Sequence, residues 1–400
     1  MRYARAFVAI AVLAALAACQ TVPAPPPTPA PAPTPAPPQR ASFTPAQWND
    51  LPGLAGDRLA ASWPAFLIGC RALAKRVSYD AVWRAPCTAA TGVDGRDEAA
   101  VRAFFMTHFS PYRVAVEGGG DTGLVTGYYE PLLTGSRTRS DRYDVPLYGV
   151  PDDLLVVDLS SLFPELKNKR VRGRVVGRRV VPYPSREEIE RNPAALPAMP
   201  LAYVSDPVEA FFLEIQGSGR IALDDGTVMR LNYADQNGHP YRSVAAVLIE
   251  RGELTRERAS MQAIRSWVHA HPDEMRALLD ANPSYVFFRE VPAPPPGSLD
   301  AAIDGPQGSL GVPLLAQRTV AVDARFIPLG TPVWLATTRP LSDEPLDRLV
   351  MAQDTGGAIR GPVRADFFWG FGAEAGSEAG RMRQEGRMWI LWPKGAPLPR

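Results

Sequence analysis

Residues 350–372 read VMAQDTGGAIRGPVRADFFWGFG: two aspartates flank a glycine-containing loop, and the second is embedded in aromatic residues. Asp366 is followed at once by Phe367, Phe368 and Trp369. Its carboxyl is therefore expected beside low-dielectric surface, which disfavours the ionised form and raises the pKa. An acid tuned in this way keeps a proton to donate at neutral pH. The competing reading is an aspartate that caps a turn or pairs with Arg364 or Arg360.

Working outward from this β-rich segment, short strands dominate the chain. Val114 to Glu117, Gly123 to Glu130, Leu201 to Tyr203, Glu209 to Gln216, Arg220 to Leu223 and Thr227 to Tyr233 alternate or are β-branched, with Asp224-Asp225-Gly226 as a hairpin turn. Ser284 to Arg289, Val320 to Val322, Pro332 to Ala336, Leu349 to Ala352 and Met388 to Leu391 continue the pattern. Helical spacing marks Asp57 to Leu73 and Arg96 to Phe109, with Asp57 and Asp94 as caps, and later Ser243 to Arg251, Arg256 to His269 and Asp273 to Ala281. The expected class is mainly β with flanking helices, a β-barrel core with an inserted second β domain.

The N-terminus addresses the chain. Met1 to Arg5 is basic, and Ala6 to Ala18 is an apolar run too short to span a bilayer but long enough for a signal-peptide core. Leu16-Ala17-Ala18-Cys19 resembles the bacterial lipoprotein box, in which the cysteine becomes the lipidated first residue; an ordinary secretory signal is the alternative. Gln20 after that cysteine favours the outer membrane by resemblance to sorted lipoproteins. The expected location is the periplasmic face of that membrane. Residues 22–38, Pro alternating with Ala and Thr, read as an extended tether. With Cys19 assigned to lipid, Cys70 and Cys87 remain as a disulfide candidate in an oxidising compartment.

Lys+Arg 43 against Asp+Glu 42 gives a net charge of +1, so no overall field points to nucleic acid. The local basic run from Lys167 to Arg179 reads as a solvated face or exposed hairpin, or as an attractor of an anionic envelope polymer. His108, His239, His269 and His271 make no zinc spacing, and Gly217-Ser218-Gly219 and Gly370-Phe371-Gly372 lack a phosphate-loop pattern. Neither a metal nor a cofactor is expected.

Several strings occur in order: Thr126-Gly127-Tyr128-Tyr129-Glu130-Pro131, Phe212 to Gly219, Asn237 to Ser243 and Asn282 to Phe288, then Val322 to Thr331, Gln353 to Gly361 and Ala365 to Phe368. With these the sequence, from about Phe43 to Trp392, resembles the membrane-bound lytic murein transglycosylase A family, whose C-terminal module is named for three aspartates. Here the loop before the third aspartate is one residue longer than the family pattern.

The resemblance implies a double-psi β-barrel from residues 43–131 and 283–400, with the three-aspartate module at about 310–392. It also implies a smaller barrel-like insert at 132–282 and a glycan groove between them. Residues 1–18 are then the signal and 19–42 the lipidated tether. The last aspartate, Asp366, would be the single acid/base; Asp323 and Asp354 would support the site. Gly127, Gly217, Gly219, Gly356 and Gly357 are groove candidates for close backbone approach, with Tyr128 and Gln216 beside them. Tyr129 and Trp369 offer further rings, and for all of these positions a strand bend or core packing is the alternative.

The implied partners are peptidoglycan glycan strands, outer-membrane lipid, and complexes of cell-wall synthases and hydrolases. A transglycosylase needs one carboxyl, whereas a hydrolytic muramidase needs a second, for which Asp354 or Glu374 is available. A noncatalytic glycan-binding or tethering lipoprotein is the remaining class.

Overall fold

The computed structural model describes residues 39–399 except 77–78, 167–168, 170 and 257. The signal segment 1–18, Cys19 and the Pro-rich stretch 22–38 lie outside the described residues. Residues 39–400 form one compact unit that contains every hydrophobic cluster among the described residues.

Strand β1 (Ala41–Pro45) pairs with β2 (Phe109–Val116), and among the described residues between them lie the α-helices α1 (Trp63–Leu73), α2 (Arg84–Ala90) and α3 (Glu98–His108). A disulfide joins Cys70 on α1 to Cys87 on α2, with 5.5 Å between Cα atoms. The caps differ from the sequence expectation. Helix α1 starts at Trp63-Pro64, where proline's fixed φ suits a first turn. Asp97, not Asp94, caps α3 by accepting from the Ala99 and Ala100 N–H groups. Asp57 caps nothing; its carboxylate is drawn to Arg318 in a buried bidentate pair, 2.8 Å for each bond.

After β3 (Thr122–Glu130) the chain builds the insert. Its strands are β4 (Leu132–Ser136), β5 (Val145–Tyr148), β6 (Leu155–Val156), β7 (Arg172–Val176) and β8 (Arg179–Pro182), then, after helix α4 (Arg186–Arg191), β9 (Pro200–Val204). Helix α5 (Pro207–Gln216), β10 (Ser218–Leu223), β11 (Val228–Gln236), helices α6 (Val244–Glu250), α7 (Met261–Ala270) and α8 (Met275–Asp280), and β12 (Val286–Glu290) follow. The main sheet has the order β12-β11-β10-β4-β9-β5 and curls until Gly149, just past β5, bridges Phe288 on β12. A separate small sheet, β6-β7-β8, stands beside it.

Glu209 to Gln216 is helix rather than the expected strand. Asp206 accepts from the Val208 and Glu209 N–H groups, Pro207 opens the first turn, and Gly217 at φ +77° stops it. Burial of Val208, Phe211 and Phe212 then decides for the helical period over the local alternation.

The last third supplies β13 (Thr319–Val322), β14 (Pro332–Thr338), β15 (Pro345–Asp354), β16 (Ala365–Phe371), helix α9 (Gly372–Arg381) and β17 (Arg383–Pro393). Pairing runs β17-β14-β15-β13-β16-β3, and β3 returns to β17, which closes a six-stranded barrel. Closure leaves those strands no open edges. Val320, Leu335, Leu349, Phe367 and Ile390 share its core, where burying one such side chain contributes roughly 1.5–3 kcal/mol.

Candidate active site

Alternation along β16 sorts the residues around Asp366. Ala365, Phe367 and Trp369 belong to the barrel core, whereas Phe368 lies in a small cluster with Tyr128, Leu314, Ala321 and Ile359. Successive side chains on a strand point to opposite faces, so Asp366 shares the face of Phe368. Of the three aromatics that follow it, only Phe368 therefore dries its surroundings directly. Trp369 is in the core against Phe367, as is Tyr129, so neither offers a ring to a ligand.

Register completes the site. Asp354, Ala321, Asp366 and Thr126 form one row across β15, β13, β16 and β3. Adjacent strands lie about 4.8 Å apart, so the two aspartate backbones, with Ala321 between them in the row, are separated by roughly 9–10 Å.

Thr126 donates its hydroxyl to Asp366 Oδ1 at 2.5 Å, and the same hydroxyl oxygen accepts from Arg364 Nη2 at 2.9 Å. Because Arg364 takes up the oxygen, the single Thr126 hydrogen is directed at Asp366. Asp366 Oδ2 has no hydrogen bond among the described residues, so Oδ1 alone is held. Burial is the main cause that lifts the Asp366 carboxyl above the ordinary aspartate value; Thr126 and the Arg364 charge pull it back, and Asp354 adds to the rise.

Thr126→Val is therefore expected to move the alkaline limb of the pH–rate profile upward, since the lost bond favours the carboxylate. Activity that needs a protonated acid disappears as pH rises through this pKa. An unshifted limb would remove Thr126 from the site.

Asp354 is differently placed. Its Oδ1 accepts from Ser309 N at 2.9 Å and Ser309 Oγ at 2.8 Å, and its Oδ2 accepts from the Tyr128 hydroxyl at 3.0 Å. Burial raises its pKa against these donors, and burial likewise raises Tyr128, helped by both aspartates. Ser309 belongs to a strap that also reaches the insert, where Asn232 Nδ2 donates to Gln307 O at 2.6 Å.

Asp323 is buried and committed to Arg325 (Nε at 2.9 Å) and to the Gly361 N–H at 2.9 Å. Burial raises its carboxyl, but these donors outweigh it and hold it below the ordinary value. An aspartate held ionised cannot serve as the proton donor. Its position braces the turn after β13 against the loop that leads into β16.

The glycine candidates divide. A Cβ on Gly127 would lie 2.7 Å from Trp369 Nε1 and 2.9 Å from Ala379 Cα, so the close approach there is to protein. Gly219 would meet Leu213 at 2.3 Å, Gly356 would meet Ile359 at 2.7 Å, and Gly217 is the αL residue that ends α5. Only Gly357 among the five is exposed with nothing within 4 Å of an added Cβ. Gln216 Oε1 accepts from the Tyr129 N–H at 3.1 Å, tying α5 to β3.

Thr126, Arg364 and Ser309 complete the site without having been singled out as site residues. Period two along β3 was the available signal for Thr126, since it shares a face with Tyr128. Among the described residues no group of three or more His, Cys, Asp or Glu could hold a metal ion.

A family model for the MltA specific insert domain matches residues 124–289, and one for the 3D domain matches 318–392. The chain is 36% identical over 293 residues to membrane-bound lytic murein transglycosylase A of Escherichia coli strain K12, covering 70% of this chain and 69% of that protein. The crystal structure of MltA from Neisseria gonorrhoeae in its monoclinic form superposes with a TM-score of 0.75 at 38% identity, covering 90% of this chain and 95% of that one. E. coli MltA with bound chitohexaose superposes with a TM-score of 0.62 at 29% identity, covering 89% and 92%. Barrel, insert and these likenesses define an enzyme that acts on peptidoglycan, a lytic murein transglycosylase. The chain belongs to the membrane-bound lytic murein transglycosylase A family.

Proposed function

We propose that this enzyme cleaves the β-1,4 bond between MurNAc and GlcNAc without water, with Asp366 as the single acid/base, and leaves 1,6-anhydroMurNAc ends. In this reading the proton of Asp366 passes to the glycosidic oxygen as its bond to the anomeric carbon breaks. The Asp366 carboxylate, held by Thr126, then removes the proton of the muramoyl 6-hydroxyl, which closes on the same carbon. The acid is regenerated and no atom of water enters. The groove reading draws on the E. coli relative, whose structure contains chitohexaose.

The observation that carries the proposal is the asymmetry of the two aspartates. A placement two strands apart on one face does not by itself exclude the carboxyl pair of an inverting hydrolase, which needs about 6.5–9.5 Å between the carboxyl groups. Yet Asp354 Oδ1 already accepts two bonds from Ser309 and Oδ2 one from the Tyr128 hydroxyl, which leaves it less acceptor capacity for a water than Asp366 has, whose Oδ2 accepts none among the described residues. Glu374 is exposed on the first turn of α9, the helix whose Ala379 packs on Gly127, on the face of β3 opposite Thr126. Intramolecular capture also benefits from high effective concentration. Digestion of sacculi in heavy-oxygen water is expected to release unlabelled anhydro ends by mass spectrometry. Predominant reducing ends carrying the heavy isotope would reassign the enzyme as a muramidase.

We also propose that Cys19 is acylated and holds the enzyme at the periplasmic face of the outer membrane, on the lipobox-like Leu16-Ala17-Ala18-Cys19 and the following Gln20. Cys19→Ser should release an enzyme that still digests isolated sacculi. Undiminished partition into outer-membrane vesicles would refute the anchor.

A further inference from the structure

The row that carries Asp366 continues past Thr126. Strand β17 runs antiparallel to β3 with Arg383 opposite Thr126, Glu385 opposite Leu124 and Arg387 opposite Thr122, and cross-strand partners share a face. Asp354, Ala321, Asp366, Thr126 and Arg383 therefore form one line across β15, β13, β16, β3 and β17. Core packing fixes the direction of that face independently. Val125 is in the barrel core, and a Cβ on Gly386 would meet it at 2.6 Å, so Leu124 and Thr126 on β3 and Arg383 and Glu385 on β17 point outward. Two strand spacings of about 4.8 Å put the Arg383 backbone about 10 Å from that of Asp366, on the side away from Asp354.

The charges on this outward face are mostly positive. Arg383 is exposed, and its side chain makes one long hydrogen bond among the described residues, from Nη1 to Arg256 O at 3.5 Å on the insert loop between α6 and α7. Arg364 stands on the other side of Thr126, with its nitrogens committed to Leu124 O, Ala365 O and the Thr126 hydroxyl. Farther along β17, Glu385 is an exposed carboxylate on the same face, and exposed Arg387 follows it. Arg383 is thus the cation of the Asp366 row whose Nε and Nη2 are unbonded among the described residues.

We infer that Arg383 binds a carboxylate on the lactyl substituent of a muramoyl unit held beside Asp366, and so selects strands by what that substituent carries. The inference rests on Asp366 as the acid, since that places the muramoyl ring next to this end of the row. The N-acetyl sugar rings of the strand are uncharged and offer a guanidinium no ion. The negative charge lies on the substituent, as the lactyl carboxylate of a peptide-free unit or as carboxylates of an attached peptide. A guanidinium matches such a group with two parallel bonds, and Nε and Nη2 are a pair that can form them.

Binding is to be measured by calorimetry in the Asp366→Asn background, so that strands are not consumed. The ligands are soluble GlcNAc-MurNAc strands freed of peptide, the same strands with peptide attached, and chitohexaose, which has no carboxylate. Adding Arg383→Gln is expected to weaken one or both muramoyl ligands at least about fivefold, less at high salt, with chitohexaose binding unchanged. Loss on the peptide-free strands identifies the lactyl carboxylate; loss confined to the peptide-bearing strands identifies the peptide. Unchanged affinity for both strands overturns the inference, as does an equal loss for chitohexaose. Cleavage of strands in the Asp366→Asn background would count against Asp366 alone, and the Arg383 comparison would then be read from KM.

Discussion

Asp366→Asn is expected to lower turnover on sacculi by about 10²–10⁴-fold, the range that a positioned general acid contributes. An amide of the same shape can still accept the Thr126 hydroxyl through its oxygen, so β16 keeps its geometry. What is lost is the proton of the acid and, after bond cleavage, the carboxylate that would take the proton of the 6-hydroxyl. No neighbouring group replaces it, because Asp354 is held by Ser309 and Tyr128 and Asp323 by Arg325 and Gly361. Steady-state digestion is to be read together with glycan binding and circular dichroism. A correctly folded variant with more than about a tenth of wild-type turnover sinks the assignment.

Asp57→Ala is expected to destabilise the body by about 3–5 kcal/mol, the cost of leaving a buried charge without its partner. Asp57 binds Arg318 through both oxygens and also accepts the Leu349 N–H at 3.0 Å, joining the helical N-terminal segment to β15 and the entry to β13. Removal strands the Arg318 guanidinium, whose remaining bonds are to Leu349 O at 3.2 Å and Ser62 Oγ at 3.4 Å. Denaturant unfolding measures the loss. The double variant with Arg318→Met should lose less than Asp57→Ala alone, since no uncompensated charge then remains. A loss below about 1 kcal/mol in the single variant would show that water already screens the pair.

Local rules read much of this chain correctly. Alternation, turn glycines and caps are properties of neighbouring residues, so Gly123 to Glu130, the Asp224-Asp225-Gly226 turn and the Ser243-capped helix are legible in the sequence. The same rules misread Glu209 to Gln216, where Leu213-Glu214-Ile215-Gln216 alternates like a strand. The deciding signals lay just outside it, in Asp206-Pro207 and Gly217. Asp57 failed for another reason: its place before an apolar run is that of a cap, and its partner is 261 residues away.

The composition around Asp366 determined that a carboxyl there would be desolvated, and the ordered strings determined the family. Only the tertiary structure decided which aromatic dries it, which hydroxyl holds it, and which aspartate stands two strands away. Those relations are set by strand register across β15, β13, β16 and β3. A one-residue slip in any of these pairings would turn the side chains to the opposite face, and that register is fixed by closure of a barrel whose strands come from both sides of the insert.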